Sequence, residues 1–270
     1  MNDKFVHKEW QLIVDEEPLE GALNMAIDEW MFRKLTDAPQ TWLRFYSWLR
    51  PTVSIGYSQN ILKTVDIKFC EEKGIDVVRR MTGGKLVLHH QEVTYSLCSS
   101  DVEIFSSSLL RSYRLIAEAL ILGLKKMGLE PYLAASSPDF YKKSTFPCFF
   151  YPSQNEIEVK GKKLVGSAQR RVGLKFIQHG SLPLEEESCL LKSVSNLEGG
   201  EIRMASLSSA LGRKVSFRWA VKNLIEGFSE FFGVKLRRRE FNEKDRLEIS
   251  RLKERYLSRE WTFKSRLPWK

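Results

Sequence analysis

Apolar residues recur at helical spacing in two long segments of the chain. In residues 21–32 they return every three or four positions, which predicts an amphipathic helix near the start of the chain. Residues 108–127 show the same period and are followed by Gly128 and Pro131, so the second helix is predicted to end there. A highly charged segment, residues 242–259, predicts a further helix near the end of the chain.

Apolar and polar residues alternate in several shorter segments, as they do in half-buried β-strands. The predicted strands cover residues 41–48, 52–55, 75–80, 155–159, 163–168 and 175–182. A turn at residues 160–162 joins two of these strands into a hairpin. Because the helices and strands do not alternate regularly, we predict an α+β fold with a mixed or antiparallel sheet flanked by helices.

The pattern changes to shorter helices beyond Pro183. We therefore predict a core of residues 1–183 and a small C-terminal helical extension of residues 184–270. The extension is expected to pack on the core rather than to fold as an independent domain. Hydrophobic residues make up 43% of the chain and charged residues 29%, which is the composition of an ordinary globular protein and argues against a disordered chain.

Positive charge is concentrated near the end of the chain. The 270 residues contain 43 Lys and Arg against 34 Asp and Glu, a formal net charge of +9. Residues 235–270 hold 13 basic and 6 acidic side chains, so 7 of the 9 excess charges lie there. Such a segment is suited to nucleic acid, to an acidic protein or simply to solvent, and the sequence alone leaves these three open.

Several classes of protein are disfavoured by the sequence. No apolar run approaches the ~18 to 20 residues that cross a bilayer, and no signal-type apolar segment follows the first residues. The four cysteines form no CxxC pair and no disulfide framework. We therefore expect a soluble, cytoplasmic protein with reduced thiols and no membrane partner.

A glycine pair follows the strand predicted at residues 75–80. The segment 79–90 places two arginines before Gly83 and Gly84. Such a turn exposes backbone N–H groups and lets the chain approach a ligand closely, although a plain surface turn would look the same. The spacing matches neither the phosphate-binding loop nor the dinucleotide fingerprint. His89 and His90 are adjacent and would point to opposite faces of a strand, so no metal site is expected.

Two further residues are candidates for chemistry. Lys163 lies on a predicted strand between Gly161 and Gly166, where small neighbours would let its side chain enter a cleft, although a surface hairpin is the simpler interpretation. Cys148 lies among aromatic residues and is of interest only if a nearby base or cation favours its thiolate.

Taken in order, these stretches resemble the superfamily of lipoate–protein ligase A and octanoyltransferases, whose fold is shared with biotin protein ligase. The resemblance rests on residues 24–29, 43–48, 51–59, 79–84 with His89, 161–169 and 178–181. Cys148 followed by Phe149, shortly before the lysine hairpin, resembles octanoyltransferases of the LipM type, in which that cysteine carries the acyl group. Lys85 and Leu86 depart from the usual pattern of the glycine loop.

The resemblance implies roles for individual residues. Cys148 would be the nucleophile, and the Lys163 ammonium would lower the pKa of that thiol and hydrogen-bond the acyl carbonyl. The substrate-binding residues that it implies are Arg79, Arg80, Thr82, Gly83, Gly84, Val87, His89, Gly166, Ser167, Ala168, His179 and Gly180.

The implied reaction is transfer of octanoate from acyl carrier protein to a lysine of a lipoyl domain or glycine-cleavage H protein, in lipoate biosynthesis. It needs no cofactor and no metal, and no nucleic acid takes part. One alternative is a lipoate–protein ligase, which would use ATP and Mg²⁺; another is amidotransfer from H protein to other lipoyl domains. Since the protein partners are typically acidic, Arg237, Arg238 and Arg239 are expected to steer them toward the site.

Overall fold

A computed structural model describes residues 8–106, 108–135, 147–149, 155–196 and 202–263. Its larger sheet contains β1 (Glu9–Val14), β2 (Thr41–Tyr46), β6 (Glu92–Ser99), β7 (Tyr132–Leu133), β8 (Ile157–Val159), β9 (Lys162–Val172), β10 (Lys175–Pro183) and β11 (Lys235–Arg238). These strands are arranged in the order β11-β1-β2-β6-β10-β9-β8-β7. β1 runs parallel to β2 and β11, and the remaining neighbours are antiparallel, so the predicted mixed sheet is confirmed.

A second, three-stranded sheet lies beside the first. It consists of β3 (Thr52–Ile55), β4 (Asp76–Arg79) and β5 (Val87–His89), in the order β4-β3-β5. Its β3–β4 pair is parallel and its β3–β5 pair antiparallel. The segment between β4 and β5 contains the glycine pair, so this small sheet carries the predicted loop.

Helices surround the two sheets, and some of them cover both faces of the larger one. They are α1 (Gly21–Lys34), α2 (Ile61–Thr64), α3 (Ile67–Lys73), α4 (Val102–Phe105), α5 (Leu109–Lys126), α6 (Ser188–Ser193), α7 (Leu207–Leu211), α8 (Phe217–Phe232), α9 (Glu243–Leu257) and α10 (Arg259–Phe263). α5 packs on α8 over one face, and α1 packs on α9 over the other. Among the described residues, no helix is long and apolar enough to cross a membrane.

The three predicted helices form, with ends within two residues of the predicted ones. However, α1 is buried on nearly all of its faces and is not the amphipathic helix that the sequence predicts. The Ser108 side chain caps α5 by accepting from the backbone N–H of Arg111, and Asn242 caps α9 in the same way through Asp245. The hairpin also forms as predicted, since its tight turn at Lys160 and Gly161 has positive φ at both residues.

Two expectations about strands are wrong. β2 is not half-buried, because helices on one face and the core on the other bury all six of its residues. Helices do follow residue 183, but they are interrupted by β11, which adds a parallel strand to the edge of the sheet beside β1. Its charged sequence is typical of a protected sheet edge rather than of an alternating strand, so periodicity did not reveal it. The boundary after residue 183 stays a prediction.

Candidate active site

A cavity that is partly open to solvent and mostly apolar lies between the two sheets. Its wall is formed by Met25, Tyr46, Trp48, Ser54, Arg80, Gly84, Lys85, Val87, His89, Thr94, Cys148, Gly166, Ser167, Ala168, His179, Gly180 and Ser181. The structure thus brings together Cys148 with nine of the twelve predicted substrate-binding residues.

Cys148 lines the cavity and contacts two buried side chains behind the wall, Lys163 and Glu156; we call these three residues the reactive corner. The Lys163 ammonium lies 3.1 Å from the Cys148 Sγ, 2.7 Å from the Cys148 carbonyl oxygen and 2.6 Å from the Glu156 Oε2. The other carboxylate oxygen, Oε1, lies 3.9 Å from Sγ and accepts from the thiol. Lys163 and Glu156 are both buried, so neither charge is stabilised by bulk water.

These contacts fix the charge state of Lys163. Burial by itself would lower the pKa of the lysine, but Cys148 and Glu156 together raise it above the ordinary value. The side chain is therefore an ammonium at neutral pH. Its three N–H donors match the three acceptors around it.

For the Cys148 thiol, burial rather than the neighbouring charges decides the direction of the pKa shift. Burial raises the pKa of Cys148, and Glu156 raises it further. Lys163 and Arg80 lower the pKa, as the resemblance implied for the lysine, but they do not overcome burial. The implied effect of Lys163 on the thiol is thus present, but the net pKa stays raised, and Cys148 is a neutral thiol beside an ammonium at neutral pH.

Gly166 provides the space in which the cysteine and lysine meet. A Cβ atom at this position would lie 3.1 Å from the Cys148 Sγ and 3.1 Å from the Lys163 Cε. Either neighbour would have to move to accept it. The prediction that small residues on this strand make room for Lys163 thus has a specific basis at Gly166.

The glycine loop is held by Arg80, whose guanidinium is buried. It donates to the carbonyl oxygens of Ser54, Gly83 and Lys85, which ties the loop to β3. Gly84 adopts a φ of +88°, a conformation that favours glycine. Burial lowers the pKa of Arg80 to about 10, so the side chain remains a cation next to the thiol at neutral pH.

Three predicted binding residues do not line the cavity. Thr82 lies behind the wall, where its hydroxyl contacts His179 Nε2, and the Gly83 carbonyl is taken by Arg80. Arg79 points away from the cavity because its buried guanidinium holds neighbouring backbone together. It donates to the carbonyl oxygens of Gly56, Tyr57, Gln59, Trp261 and Thr262.

Two histidines line the cavity, each held by a carboxylate and a hydroxyl. His179 contacts Asp28 through Nδ1 at 2.8 Å and Thr82 through Nε2 at 2.6 Å. Burial lowers the pKa of His179 more than Asp28 raises it, so this imidazole is neutral at neutral pH.

His89 is held in the same manner. Its Nδ1 lies 2.9 Å from Glu92, its Nε2 lies 2.7 Å from Ser54, and its ring stacks on Trp48 at 4.0 Å. The ring nitrogens of both histidines are therefore already engaged, and the two imidazoles present fixed ring faces and edges to the cavity.

Sequence reasoning missed several residues of the site. Glu156 directly precedes a strand, where its single acidic side chain looks like an ordinary surface charge. Trp48 and Tyr46 have the pattern of core residues, and they are core residues that also bound the cavity. Only the packing of the two sheets reveals either role. Within the described part of the chain, no group of three or more His, Cys, Asp or Glu residues is placed to hold a metal ion.

Comparison with known proteins supports the resemblance. A family model described as the lipoyl protein ligase A/B catalytic domain matches residues 20–229. The octanoyltransferase LipM of Carboxydothermus hydrogenoformans is 39% identical, over 94% of this chain and 98% of that protein. The octanoyltransferase LipM of Bacillus anthracis is 34% identical, over 90% of this chain and 94% of that protein.

Solved structures share the fold. Lipoate-protein ligase A bound with ATP superposes with a TM-score of 0.81 at 24% identity, over 94% of this chain and 98% of that one. A bi-partite lipoate protein ligase from Thermoplasma acidophilum gives a TM-score of 0.77 at 24% identity, over 95% and 97% of the two chains. The predicted fold class is confirmed by these matches.

Proposed function

Because the chain belongs to the lipoyl protein ligase A/B catalytic-domain family and is an acyltransferase, we propose that it transfers octanoate through a thioester on Cys148. The donor would be octanoyl–acyl carrier protein. The acceptor would be a lysine of a lipoyl domain or of the glycine-cleavage H protein. The observation that carries the proposal is the Cys148 Sγ held 3.1 Å from a buried ammonium, on the wall of a mostly apolar cavity.

The first half-reaction acylates the cysteine. The Cys148 thiolate, stabilised by Lys163, attacks the donor thioester, and the carrier thiol leaves. As the sulfur becomes part of a thioester it accepts a hydrogen bond less well. One Lys163 N–H can then turn to the carbonyl oxygen as negative charge develops there. Lys163 thus serves the thiolate first and the oxyanion next.

The second half-reaction forms the amide. A neutral acceptor lysine attacks the acyl-enzyme, and Cys148 leaves. Exchange between two thioesters is nearly balanced in free energy, whereas conversion of a thioester to an amide is downhill. The route therefore needs neither ATP nor a metal, and two protein substrates can use one site in turn.

The acyl chain would occupy the apolar side of the cavity. Met25, Trp48 and Val87 supply apolar surface there, while Cys148 lies on the same wall. Burying ~6 methylenes at ~0.8 kcal/mol each would contribute ~5 kcal/mol of gross binding free energy, enough for modest selection by chain length.

Mass spectrometry of the protein mixed with octanoyl carrier protein, without ATP, tests the proposal. We expect one octanoyl group on the Cys148 peptide, and no adduct and no transfer for Cys148→Ser. Cys189→Ser is the matched control, because this cysteine is exposed and lies outside the cavity. An adduct on Cys70, Cys98 or Cys189, or near-normal transfer by Cys148→Ser, would contradict the covalent route.

The alternatives give different donor requirements. An ATP-dependent ligase would label a lipoyl domain with free lipoate or octanoate only when ATP and Mg²⁺ are present. An amidotransferase would use octanoyl H protein in preference to octanoyl carrier protein. Running the three donors side by side against one lipoyl domain distinguishes the activities.

A further inference from the structure

We propose that Glu156 is the general base of the second half-reaction: its carboxylate takes the proton that the acceptor amine loses as it attacks the acyl-enzyme. The inference rests on the proposed function, since it concerns the acyl-enzyme at Cys148. The Glu156 Oε1 lies 3.9 Å from the sulfur to which the acyl group would be attached. The reacting carbonyl carbon is bonded to that sulfur, so an attacking amine arrives close to this oxygen.

The transfer step needs a base that Cys148 and Lys163 do not supply. Once acylated, the sulfur has no charge with which to accept a proton. Lys163 is already an ammonium, with its donors directed at Cys148 and Glu156. An amine that has attacked a carbonyl carries a positive charge and must lose a proton before the sulfur can leave productively.

The two histidines on the cavity wall are less suited to that task. Both imidazoles contact a carboxylate through Nδ1 and a hydroxyl through Nε2. In the part of the chain that the structure describes, the charged and titratable groups shown to act on Cys148 include Lys163 on β9, Glu156 before β8, Arg80 and Lys85 around the glycine loop, and Tyr113 on α5. Among these, Glu156 is the carboxylate.

The proposed step balances in atoms and protons. The acceptor nitrogen forms a bond to the carbonyl carbon, and its proton moves to the Glu156 Oε1. The carbon–sulfur bond then breaks, and Cys148 leaves as a thiolate beside Lys163. The proton passes from the Glu156 carboxyl to the sulfur, which restores the thiol and the carboxylate for the next cycle.

If Glu156 has this role, Glu156→Gln should slow the second half-reaction but not the first. The amide keeps the size of the side chain and an oxygen for Lys163, but it cannot accept the proton. Acylation of Cys148 should stay within threefold of wild type or become faster, because the carboxylate that opposes thiolate formation is gone. Transfer to a lipoyl domain should fall about 100-fold or more, so that acyl-enzyme accumulates.

The experiment measures both steps separately by mass spectrometry. Protein is first mixed with octanoyl carrier protein and sampled for acyl-enzyme, and a recombinant lipoyl domain is then added. If wild type gains no octanoyl group on Cys148, the proposed function fails before any variant is compared. The transfer deficit of Glu156→Gln should shrink as the pH rises from about 7 to 9.5, because hydroxide and buffer bases replace the missing carboxylate.

Two further variants separate proton transfer from support of the structure. Glu156→Asp keeps the carboxylate and should retain at least a tenth of the wild-type transfer rate. This variant tests the proposal even if Glu156→Gln does not fold. Glu158→Gln removes a half-buried charge that also acts on Lys163, and it should behave as wild type. The proposal is overturned if Glu156→Gln transfers within threefold of wild type, if Asp is as poor as Gln, or if both half-reactions fall equally at every pH.

Discussion

Positive charge meets carboxylates both in the reactive corner and at the basic edge, and these two regions differ in exposure. The basic edge comprises Arg237, Arg238 and Arg239, at and just beyond β11. Its ion pairs join these arginines to Glu9, Glu16 and Asp245 at 2.8 to 3.5 Å. In the reactive corner Lys163 is 0% and Glu156 3% exposed, whereas Arg238 and Glu16 at the edge are 65% and 45% exposed.

That difference decides what each pair can do. Exposed pairs are screened by water and salt and contribute little, so the edge arginines mainly neutralise local carboxylates. A buried pair has lost its hydration, and each charge depends on the other. The sequence draws attention to the edge, where charges are many. The proposed chemistry depends on one lysine, which the sequence offers as a candidate, and on one glutamate, which is inconspicuous in the sequence.

Removing the cation of the buried pair should lower the free energy of unfolding more than removing the cation of an exposed pair. Lys163→Met removes the cation and leaves Glu156 buried beside Cys148, so the free energy of unfolding should fall by about 3 to 5 kcal/mol. Arg238→Gln at the edge should lower it by less than about 1 kcal/mol. Urea unfolding of the two variants and wild type measures both. Equal costs would mean that burial does not distinguish the two regions.

The pH dependence of Cys148 alkylation tests the charge state of the reactive corner. Alkylation of Cys148 by iodoacetamide should rise with pH through a value above that of an ordinary thiol, because burial raises its pKa. Lys163→Met removes a cation that lowers this pKa, so the profile should move to still higher pH. A shift of one unit would slow alkylation about tenfold at a fixed pH below the midpoint. Peptide-resolved mass spectrometry measures it.

The exposed Cys189 supplies an internal reference for that experiment. Its alkylation should be the same in both proteins, so a change at this residue would reveal a general rather than a local effect. A profile for Cys148 that moves to lower pH in Lys163→Met would contradict the assigned charge state of the corner.

The smallest effect is expected at the basic edge itself. Five strand spacings of about 4.8 Å separate β11 from β9, so the edge lies about 24 Å from the strand that carries Lys163. Screening acts within about 10 Å, and these arginines are already paired. Replacing all three by Gln should therefore change the KM for octanoyl carrier protein by less than twofold.

A large rise in that KM at low salt would contradict this expectation. It would assign the edge a docking role, as the sequence first indicated. The control is the same measurement with a small octanoyl thioester, which has no protein surface to steer and should be unaffected in either case.

Local sequence patterns predicted the long helices and the β8–β9 hairpin. The helix at residues 109–126 follows from its apolar period and its Ser108 cap, the helix at residues 21–34 follows from its apolar spacing alone, and the β8–β9 hairpin follows from its turn. β11 and the full burial of β2 did not follow, since both depend on which neighbours the sheet acquires. For the same reason, the position of the Arg79 side chain did not follow. Its sequence neighbours suggested a ligand, but the fold supplies five backbone carbonyls to its guanidinium.

The sequence by itself determined the helices, the α+β class, the family resemblance and the identity of Cys148 and Lys163 as candidates. These depend on patterns and motifs that can be read over short stretches of chain. The tertiary structure decided which charges matter and in which state they rest. Burial and three neighbours, namely Arg80 after β4, Glu156 before β8 and Lys163 on β9, set the pKa of the thiol. These residues come from separate segments, so no single stretch of sequence predicts the distances between them.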